Sequence, residues 1–276
     1  MPRFGSSPLA FPDFKGATRR LIFANLAAYF ALLLLRLASS SGFEGVFRAL
    51  WFDPAWFLHG ALWQPLTYSF VHDPSSILGT LLELLSLWFL AGFLEGFHDA
   101  SWVTWLYAIS VFGAALAALA LYAISSAMGS SLLGSSVPLT GCLGGIFGML
   151  VAIGFLYGDM QFMLFPLPIG IKARYLVIIY ALVAFAMLFG QSRMVAFSEL
   201  GGGLAGLLFV RMAPRRGLSF VVSESWYSVR NRYYRWKRRR AARKFEVYMR
   251  SQGRTVHFDG QGRIIDDDSE DKKRWN

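Results

Sequence analysis

Six long apolar runs dominate the sequence and restrict what it can fold into. They cover residues 21–39, 77–97, 102–125, 140–157, 172–190 and 195–213. A transmembrane helix needs about 20 mainly apolar residues to cross the hydrocarbon core of a bilayer. Charged residues make up only 16% of the chain, well below the quarter that is usual in soluble proteins. The sequence therefore predicts an all-α membrane protein with six transmembrane helices.

Basic residues at both ends of the apolar region predict its orientation. They are Lys15, Arg19 and Arg20, which are expected to precede the first helix, and Arg211, Arg215 and Arg216 at the end of the sixth run. Because Lys and Arg accumulate on the cytoplasmic side, six spans place both termini in the cytoplasm. The first twenty residues lack the apolar core of a cleaved signal peptide, so we expect the first run to stay as an anchor. The predicted location is the cytoplasmic (inner) membrane, with multiple spans.

The apolar region also divides the chain into three predicted parts. Residues 1–15 form a cytoplasmic tail, 16–213 form the membrane domain, and 214–276 form a basic cytoplasmic tail. Between the first two runs lies an aromatic segment, 40–76, which we call the aromatic loop. Since Trp and Tyr favour membrane interfaces, we expect short helices of this loop, the L1 loop of the predicted fold, to lie in the outer leaflet.

The basic tail contains a predicted helix over about 224–252 that stops at Gly253. Apolar and aromatic side chains recur in it at helical spacing, at Trp226, Val229, Tyr233 and Trp236. The centre of its basic run is Arg235, Lys237, Arg238, Arg239 and Arg240. Such a run is compatible with nucleic acid, but it follows closely after a membrane exit. Anionic lipid headgroups, which attract basic residues near a membrane surface, are therefore the predicted partner, and nucleic acid is not.

Three stretches resemble the rhomboid family of intramembrane serine proteases. WQPLTYSFVH (63–72), running into ELLSLWFLAGFLE (83–95), is similar to the family's loop W-R/Q…T-x-x-F-x-H and its second helix. GCLGGIFGM (141–149) is similar to G-x-S-G-A-x-x-G, and ELGGGLAGLLF (199–209) is similar to H-x-x-G-x-x-x-G. The resemblance covers about 16–213 and implies the six-helix rhomboid fold, with an interfacial loop after the first helix.

The resemblance also implies where a catalytic site would lie, and four positions differ from the family. The nucleophilic serine falls at Leu143, the general-base histidine at Glu199, and the two oxyanion positions at Gly79 and Glu83. A serine hydroxyl needs a hydrogen-bonded base to become nucleophilic, and leucine has no nucleophilic atom. An ionised carboxylate at an oxyanion position would oppose the negative charge that develops there. The resemblance therefore implies a pseudoprotease, with no catalytic residues.

Three functions remain open at this point. The resemblance implies a protein that binds transmembrane clients or serves as a subunit of a membrane complex. The first alternative is an active intramembrane endopeptidase with an atypical site that uses Ser135 or Ser136. The second is a purely structural assembly subunit. We predict no cofactor and no metal, because two carboxylates and a distant His72 make a poor ligand set.

Several further residues carry structural or functional expectations. Trp63, Gln64 and His72 either anchor the aromatic loop or contact a substrate, and we favour the anchor. Glu83 and Glu199 are carboxylates inside apolar runs, where ionisable groups are a functional hint. Either they have a function or they are a buried, protonated pair that serves only packing, and we expect them to share a proton across one cavity. The lone cysteine, Cys142, is expected to be a small buried packing residue that points away from the site.

Glycines in the fourth and sixth runs predict close helix packing. Small residues four positions apart let two helices approach each other in lipid. The predicted pairs are Gly141 with Gly145, Gly144 with Gly148, and Gly202 with Gly206.

Overall fold

The computed structural model describes residues 12–129, 138–164, 169–190, 193–212 and 218–252. Contacts divide the chain into two units, Met1–Gly217 and Leu218–Asn276, and each is described by itself. The first unit holds every predicted membrane run. The second contains one long helix.

The described part of the first unit is mostly helical. Its helices are α1 Gly16–Ala38, α2 Ser40–Leu50, α3 Pro54–Leu58, α4 Gln64–Thr67, α5 Ile77–Glu95, α6 Ala100–Ala127, α7 Leu143–Leu156, α8 Ala173–Met187 and α9 Arg193–Met212. A short 3₁₀ turn, Tyr68–Phe70, follows α4. Each of the six predicted runs overlaps with one of the helices α1 and α5 to α9.

Four of these helices, α1, α5, α6 and α9, are long and apolar enough to cross a membrane. Helices α7 and α8 are equally apolar but have 14 and 15 residues, fewer than the about 20 that a perpendicular span needs. The protein is therefore an all-α membrane protein. The described part of its first unit has four candidate spans and two shorter apolar helices.

Helix α1 begins at Gly16, before the predicted start at Leu21. The Glu95 carboxylate accepts hydrogen bonds from the backbone N–H groups of Ala17 at 2.9 Å and Thr18 at 3.0 Å. It thereby pairs two of the N–H groups that a helix start leaves unsatisfied. Arg19 and Arg20 accordingly lie within α1, and the expectation that they precede this helix is corrected.

Helices α6, α7 and α9 pack closely, and glycines set how closely. A Cβ atom at Gly202 would collide with the carbonyl oxygen of Gly144, and one at Gly206 would lie 2.7 Å from the carbonyl oxygen of Gly148. The backbones of α7 and α9 thus touch along the predicted small-residue stripe. A Cβ atom at Gly113 of α6 would likewise collide with the Cβ atom of Ala205 in α9.

The first predicted glycine pair needs a correction. Gly145 packs in α7 against the Tyr107 ring, but Gly141 precedes the helix and has φ +85°. That left-handed conformation is strained for residues with a side chain. A Cβ atom at Gly141 would also lie 2.6 Å from a carboxylate oxygen of Glu83. Gly141 is therefore a turn residue beside Glu83 and does not belong to the helix-packing stripe.

A β-hairpin that the sequence analysis did not anticipate connects α7 to α8. Strands β1 Gln161–Leu164 and β2 Ile169–Lys172 pair antiparallel, with Gln161 opposite Lys172 and Phe162 opposite Ile171. Phe162 is buried against the Phe93 ring of α5, with centroids 4.9 Å apart. The hairpin is therefore held to the bundle by an aromatic contact.

The aromatic loop folds into the short helices α2 to α4, as expected. Its internal contacts include the Trp63 indole N–H, which donates to the Ala49 carbonyl at 2.9 Å. The buried side chain of Gln64 accepts from the Asp53 N–H at 3.2 Å. Phe52 and Leu139 exchange two backbone hydrogen bonds of 3.0 and 2.9 Å. Trp63 and Gln64 thus bind the loop to itself, and Phe52 joins it to the segment before α7.

The second unit contains helix α10, Leu218–Ser251. It begins before the predicted start near Glu224 and ends at Ser251, two residues before Gly253, which lies outside the described residues. Tyr233, Trp236 and Arg235 are exposed, and the guanidinium of Arg240 lies 5.5 Å from the Trp236 ring centre. The side chains of Trp226, Val229, Arg238 and Arg239 lie outside what the structure describes.

Candidate functional site

The sequence-predicted site residues converge only in part, and a different group of side chains meets in the first unit. His72 follows the 3₁₀ turn of the aromatic loop, Glu83 lies in the second turn of α5, and Cys142 is the residue immediately before α7. Their ligand atoms all lie within 4.8 Å of one another. We call these three residues the His–Glu–Cys cluster.

Oε2 of Glu83 is the centre of the cluster. It accepts a hydrogen bond from the Cys142 backbone N–H at 3.1 Å and lies 3.6 Å from the Cys142 Sγ. The Nε2 of His72 lies 3.3 Å from the same oxygen. The Nε2–Oε2 contact has the distance of an ion pair but lacks hydrogen-bond geometry, so Nε2 has no hydrogen-bond partner. One carboxylate oxygen therefore contacts both other members of the cluster.

The cluster is largely shielded from solvent. The side chain of His72 is 2% exposed, Cys142 is completely buried, and Glu83 is 22% exposed. The backbone around it is also fixed, since the Gly141 N–H donates to the carbonyl oxygens of Val71 at 2.7 Å and Tyr68 at 3.1 Å. These bonds join the segment just before His72 to the residue just before Cys142.

The cluster corrects two expectations from the sequence. Cys142 is buried as predicted, but it faces Glu83. Its backbone is not helical (φ −97°, ψ 12°), so a helical step of 100° does not describe its direction. His72, expected to be distant from the carboxylates, contacts Glu83 because the loop returns to α5.

The expected pair of Glu83 and Glu199 is not a hydrogen-bonded pair in the described residues. Glu199 lies in α9 and is half-buried, and its carboxylate is close enough to Glu83 to interact electrostatically. No hydrogen bond of the described residues joins the two carboxylates. Glu83 instead uses the Cys142 N–H, so the predicted shared proton has no direct bond to support it.

The other positions of the predicted catalytic site do not join the cluster. Gly79 lies in the first turn of α5 beside Ser76, and the half-buried Leu143 is the first residue of α7. Ser135 and Ser136 lie outside the described residues. Within the described residues, no serine hydroxyl is hydrogen-bonded to a histidine.

Three features define the class of all-α integral membrane proteins with several apolar helices. The features are the apolar helices themselves, their close glycine contacts and the carboxylates inside α5 and α9. Within that class, the chain belongs to a family described as eukaryotic integral membrane protein (DUF1751), whose profile matches residues 19–214. The match begins within α1, continues through α9 and ends before α10 begins. A search of curated proteins finds no significant match.

This family assignment overturns the rhomboid resemblance. The profile that matches the membrane domain is that of the integral membrane protein family, and the assignment to the rhomboid proteases is wrong. The resemblance rested on short glycine-rich and aromatic stretches. In this structure these stretches serve helix packing around Gly202 and loop closure around Trp63. Leu143, Glu199, Gly79 and Glu83 are therefore not read as replaced catalytic positions.

Proposed function

We propose that this protein binds the transmembrane helices of partner proteins, with Glu199 as the residue that selects them. The observation that carries the proposal is the placement of Glu199. It lies about 9 Å along α9 from the helix start, inside an apolar span, and is only half-buried. The salt bridges of the described residues give it no basic partner.

A carboxyl group at such a depth costs free energy unless it finds a polar partner. A helix from another protein can supply that partner as a polar or basic side chain at the same depth. Interhelical hydrogen bonds of this kind contribute about 1 kcal/mol in membranes, enough to bias the choice of partner. We therefore propose a partner helix that carries one polar or basic residue.

The test compares Glu199→Leu, Glu199→Gln and the control Glu44→Gln, which changes an exposed carboxylate of α2. The full chain is purified in mild detergent with a photocrosslinker at the exposed Leu204 of α9. We expect crosslinked transmembrane proteins to be lost with Glu199→Leu and retained with Glu44→Gln. Equal crosslinking in all three variants would contradict the proposal.

A structural assembly subunit is the second candidate, and the same purification separates it from the first. A structural subunit should co-purify with partners in a fixed stoichiometry that does not depend on Glu199. A helix-binding protein should show substoichiometric partners that Glu199→Leu removes.

We further propose that α7 and α8 also cross the membrane, which gives six spans with both termini in the cytoplasm. Lys172 and Arg174 lie where the β-hairpin meets α8, and basic residues at such a junction favour the cytoplasmic side. With four spans the hairpin would lie on the opposite side. Tilt or local thinning of the bilayer accommodates short helices. The cytoplasmic (inner) membrane and the outer-leaflet position of the aromatic loop stay predictions.

Labelling of single cysteines tests this topology. In a Cys142→Ala background, Ser41→Cys, Gln161→Cys and Ser269→Cys are treated with a membrane-impermeant thiol reagent. Six spans predict that Gln161→Cys and Ser269→Cys react from the same side and Ser41→Cys from the other. Reaction of Gln161→Cys on the side of Ser41→Cys would leave four spans.

The basic tail is proposed to bind anionic lipid headgroups. The described basic side chains Arg235, Lys237 and Arg240 are exposed on α10, beside the exposed rings of Tyr233 and Trp236. Interfacial helices combine such basic and aromatic faces.

A further inference from the structure

We propose that the His–Glu–Cys cluster binds one Zn²⁺ ion, through Nε2 of His72, Oε2 of Glu83 and Sγ of Cys142. The three ligand types are those that zinc sites use. They come from three different elements, the aromatic loop, α5 and the start of α7. The proposal does not depend on partner binding at Glu199.

The spacing of the ligand atoms fits one tetrahedral ion. Zinc lies about 2.0 to 2.2 Å from nitrogen and oxygen ligands and about 2.3 Å from sulfur, so neighbouring ligand atoms are about 3.3 to 3.6 Å apart. Nε2 of His72 is 3.3 Å and Sγ of Cys142 is 3.6 Å from Oε2 of Glu83. Small side-chain movements would suffice, since all three atoms already lie within 4.8 Å of one another.

The second, independent observation is the imidazole of His72. It is 2% exposed, and its Nε2 has no hydrogen-bond partner although it points at the cluster. A buried polar atom without a partner is unfavourable and calls for an explanation. A bond from Nε2 to a metal ion supplies that partner, because neutral imidazole is a common zinc ligand.

The groups behind the ligands have the arrangement of an outer coordination shell. Nδ1 of His72 lies 3.4 Å from the carbonyl oxygen of Phe70, which places the ring proton on Nδ1 and leaves the Nε2 lone pair for a metal. Glu83 accepts from the Cys142 N–H. Partners of this type orient metal ligands and raise their basicity.

The charge of the ligands and a route from the surface to the cluster also favour a cation between the hard and soft classes, such as Zn²⁺. A thiolate ligand selects against Mg²⁺ and Ca²⁺, which prefer oxygen. On binding, the Cys142 thiol loses its proton to water and the sulfur–zinc bond forms without any redox change. A water molecule would complete the fourth position. A surface groove lined by Glu44, Asp73, Thr140 and Arg36 reaches the neighbours of His72 and Gly141, so a cation could enter there.

The competing role is purely structural, in which the Glu83 carboxylate only pairs the N–H at the start of α7. Glu83→Gln separates the two roles, because the Gln amide oxygen can still accept from Cys142 but is a much poorer zinc ligand. The ligand variants Cys142→Ser and His72→Gln complete the set. His59→Gln is the matched control, since His59 lies in the same loop and bonds the Ala55 carbonyl at 2.7 Å.

The experiment measures zinc in the full chain, purified in detergent and dialysed against a competing chelator, and then titrates Zn²⁺ back. We expect about one zinc per wild-type and His59→Gln chain. Affinity should fall at least 100-fold in Cys142→Ser and His72→Gln, because even outer-shell changes cost 10- to 100-fold. Glu83→Gln should lose zinc while retaining its far-ultraviolet spectrum.

Cobalt substitution gives a readout that does not depend on stability. Co²⁺ bound to a thiolate produces a near-ultraviolet charge-transfer band, which should be present in the wild type and absent in Cys142→Ser. Lack of zinc and of the cobalt band in folded wild-type protein would overturn the proposal. Equal zinc affinity in the wild type and all three ligand variants would overturn it as well.

Discussion

The carboxylate of Glu95 accepts a hydrogen bond from the Thr18 hydroxyl at 2.8 Å and thereby fastens the end of α5 to the start of α1. The same carboxylate also accepts from the N–H groups of Ala17 and Thr18. Negative charge at a helix N-terminus is favourable, so one side chain both caps α1 and links two spans.

Glu95→Gln should therefore destabilise the protein. The amide has one acceptor oxygen where the carboxylate has two, and hydrogen bonds to charged groups contribute about 1.5 to 3 kcal/mol. We expect a loss of about 2 kcal/mol of unfolding free energy, measured by thermal unfolding in detergent. Glu44→Gln, at an exposed position, should change it by less than about 0.5 kcal/mol. Equal effects would contradict the capping role.

Gly202→Ala should weaken the contact between α7 and α9. The new Cβ atom would meet backbone atoms of Gly144, which cannot rotate away as a side chain can. Overpacking of this kind costs about 1 to 3 kcal/mol. Gly45→Ala is the matched control, because Gly45 is helical and has open space around it. That change should raise stability by up to about 1 kcal/mol. The same sign of effect in both variants would refute the packing argument.

His98 is expected to make the stability of the protein depend on pH. Its Nε2 lies 3.1 Å from the Tyr157 hydroxyl, and its ring stacks on Trp102 at 3.8 Å. Burial lowers the pKa of His98 below its ordinary value of 6.5, and the nearby Asp99 opposes this effect only in part. The unfolded chain then binds a proton at a pH where the folded chain does not.

The contribution of His98 to stability should consequently be constant above about pH 6.5 and fall as the pH drops toward the lowered pKa. Thermal unfolding from pH 8 to about pH 5 measures this dependence. In His98→Gln, which can still bond Tyr157, the decline in this window should become smaller. An unchanged decline would show that other groups cause it.

The basic face of α10 should select anionic membranes. A peptide spanning 220–252 is expected to become helical on anionic vesicles and to remain largely unfolded with neutral ones, as followed by circular dichroism. Binding should weaken with salt, because surface charges are screened within about 8 Å at physiological ionic strength. A peptide with Arg235, Lys237 and Arg240 changed to Gln is the control and should bind less. Equal binding of both peptides would indicate a protein partner for α10.

The positions of many helices could be predicted, because the sequence shows where each apolar run begins and ends. Helix α5 was predicted over 77–97 and is Ile77–Glu95, followed by Gly96. The start of α1 could not be predicted, because its cap, Glu95, lies far away in sequence. The β-hairpin could not be predicted from the sequence, because its strands are only four residues long and adjoin two apolar runs.

The His–Glu–Cys cluster was missed for a physical reason. The sequence contains His72 and Cys142 far apart from each other. The contact of both with Glu83 depends on the turn at Gly141 and on the path of the aromatic loop, which the sequence does not show. The expected direction of Cys142 assumed that α7 starts at residue 140, whereas it starts at Leu143. The sequence signal for this turn was Gly141, which stands directly before Cys142 and the apolar helix α7. The rhomboid assignment failed because motifs of a few glycines in apolar helices also arise from close packing alone.

The backbone pairing of Phe52 with Leu139 limits when the aromatic loop can complete its contacts during synthesis. The aromatic loop is synthesised early, but its partners at Leu139 and Gly141 follow only after α5 and α6. Contacts between distant parts of a chain form late, and unpaired segments are exposed until then. The aromatic loop is thus synthesised before α5 and α6 but completes its backbone contacts only after them. A chain that ends before α7 lacks these backbone bonds, and the loop is then held to the bundle by contacts such as that of the Tyr68 hydroxyl, which donates to the Val111 carbonyl of α6 at 2.8 Å.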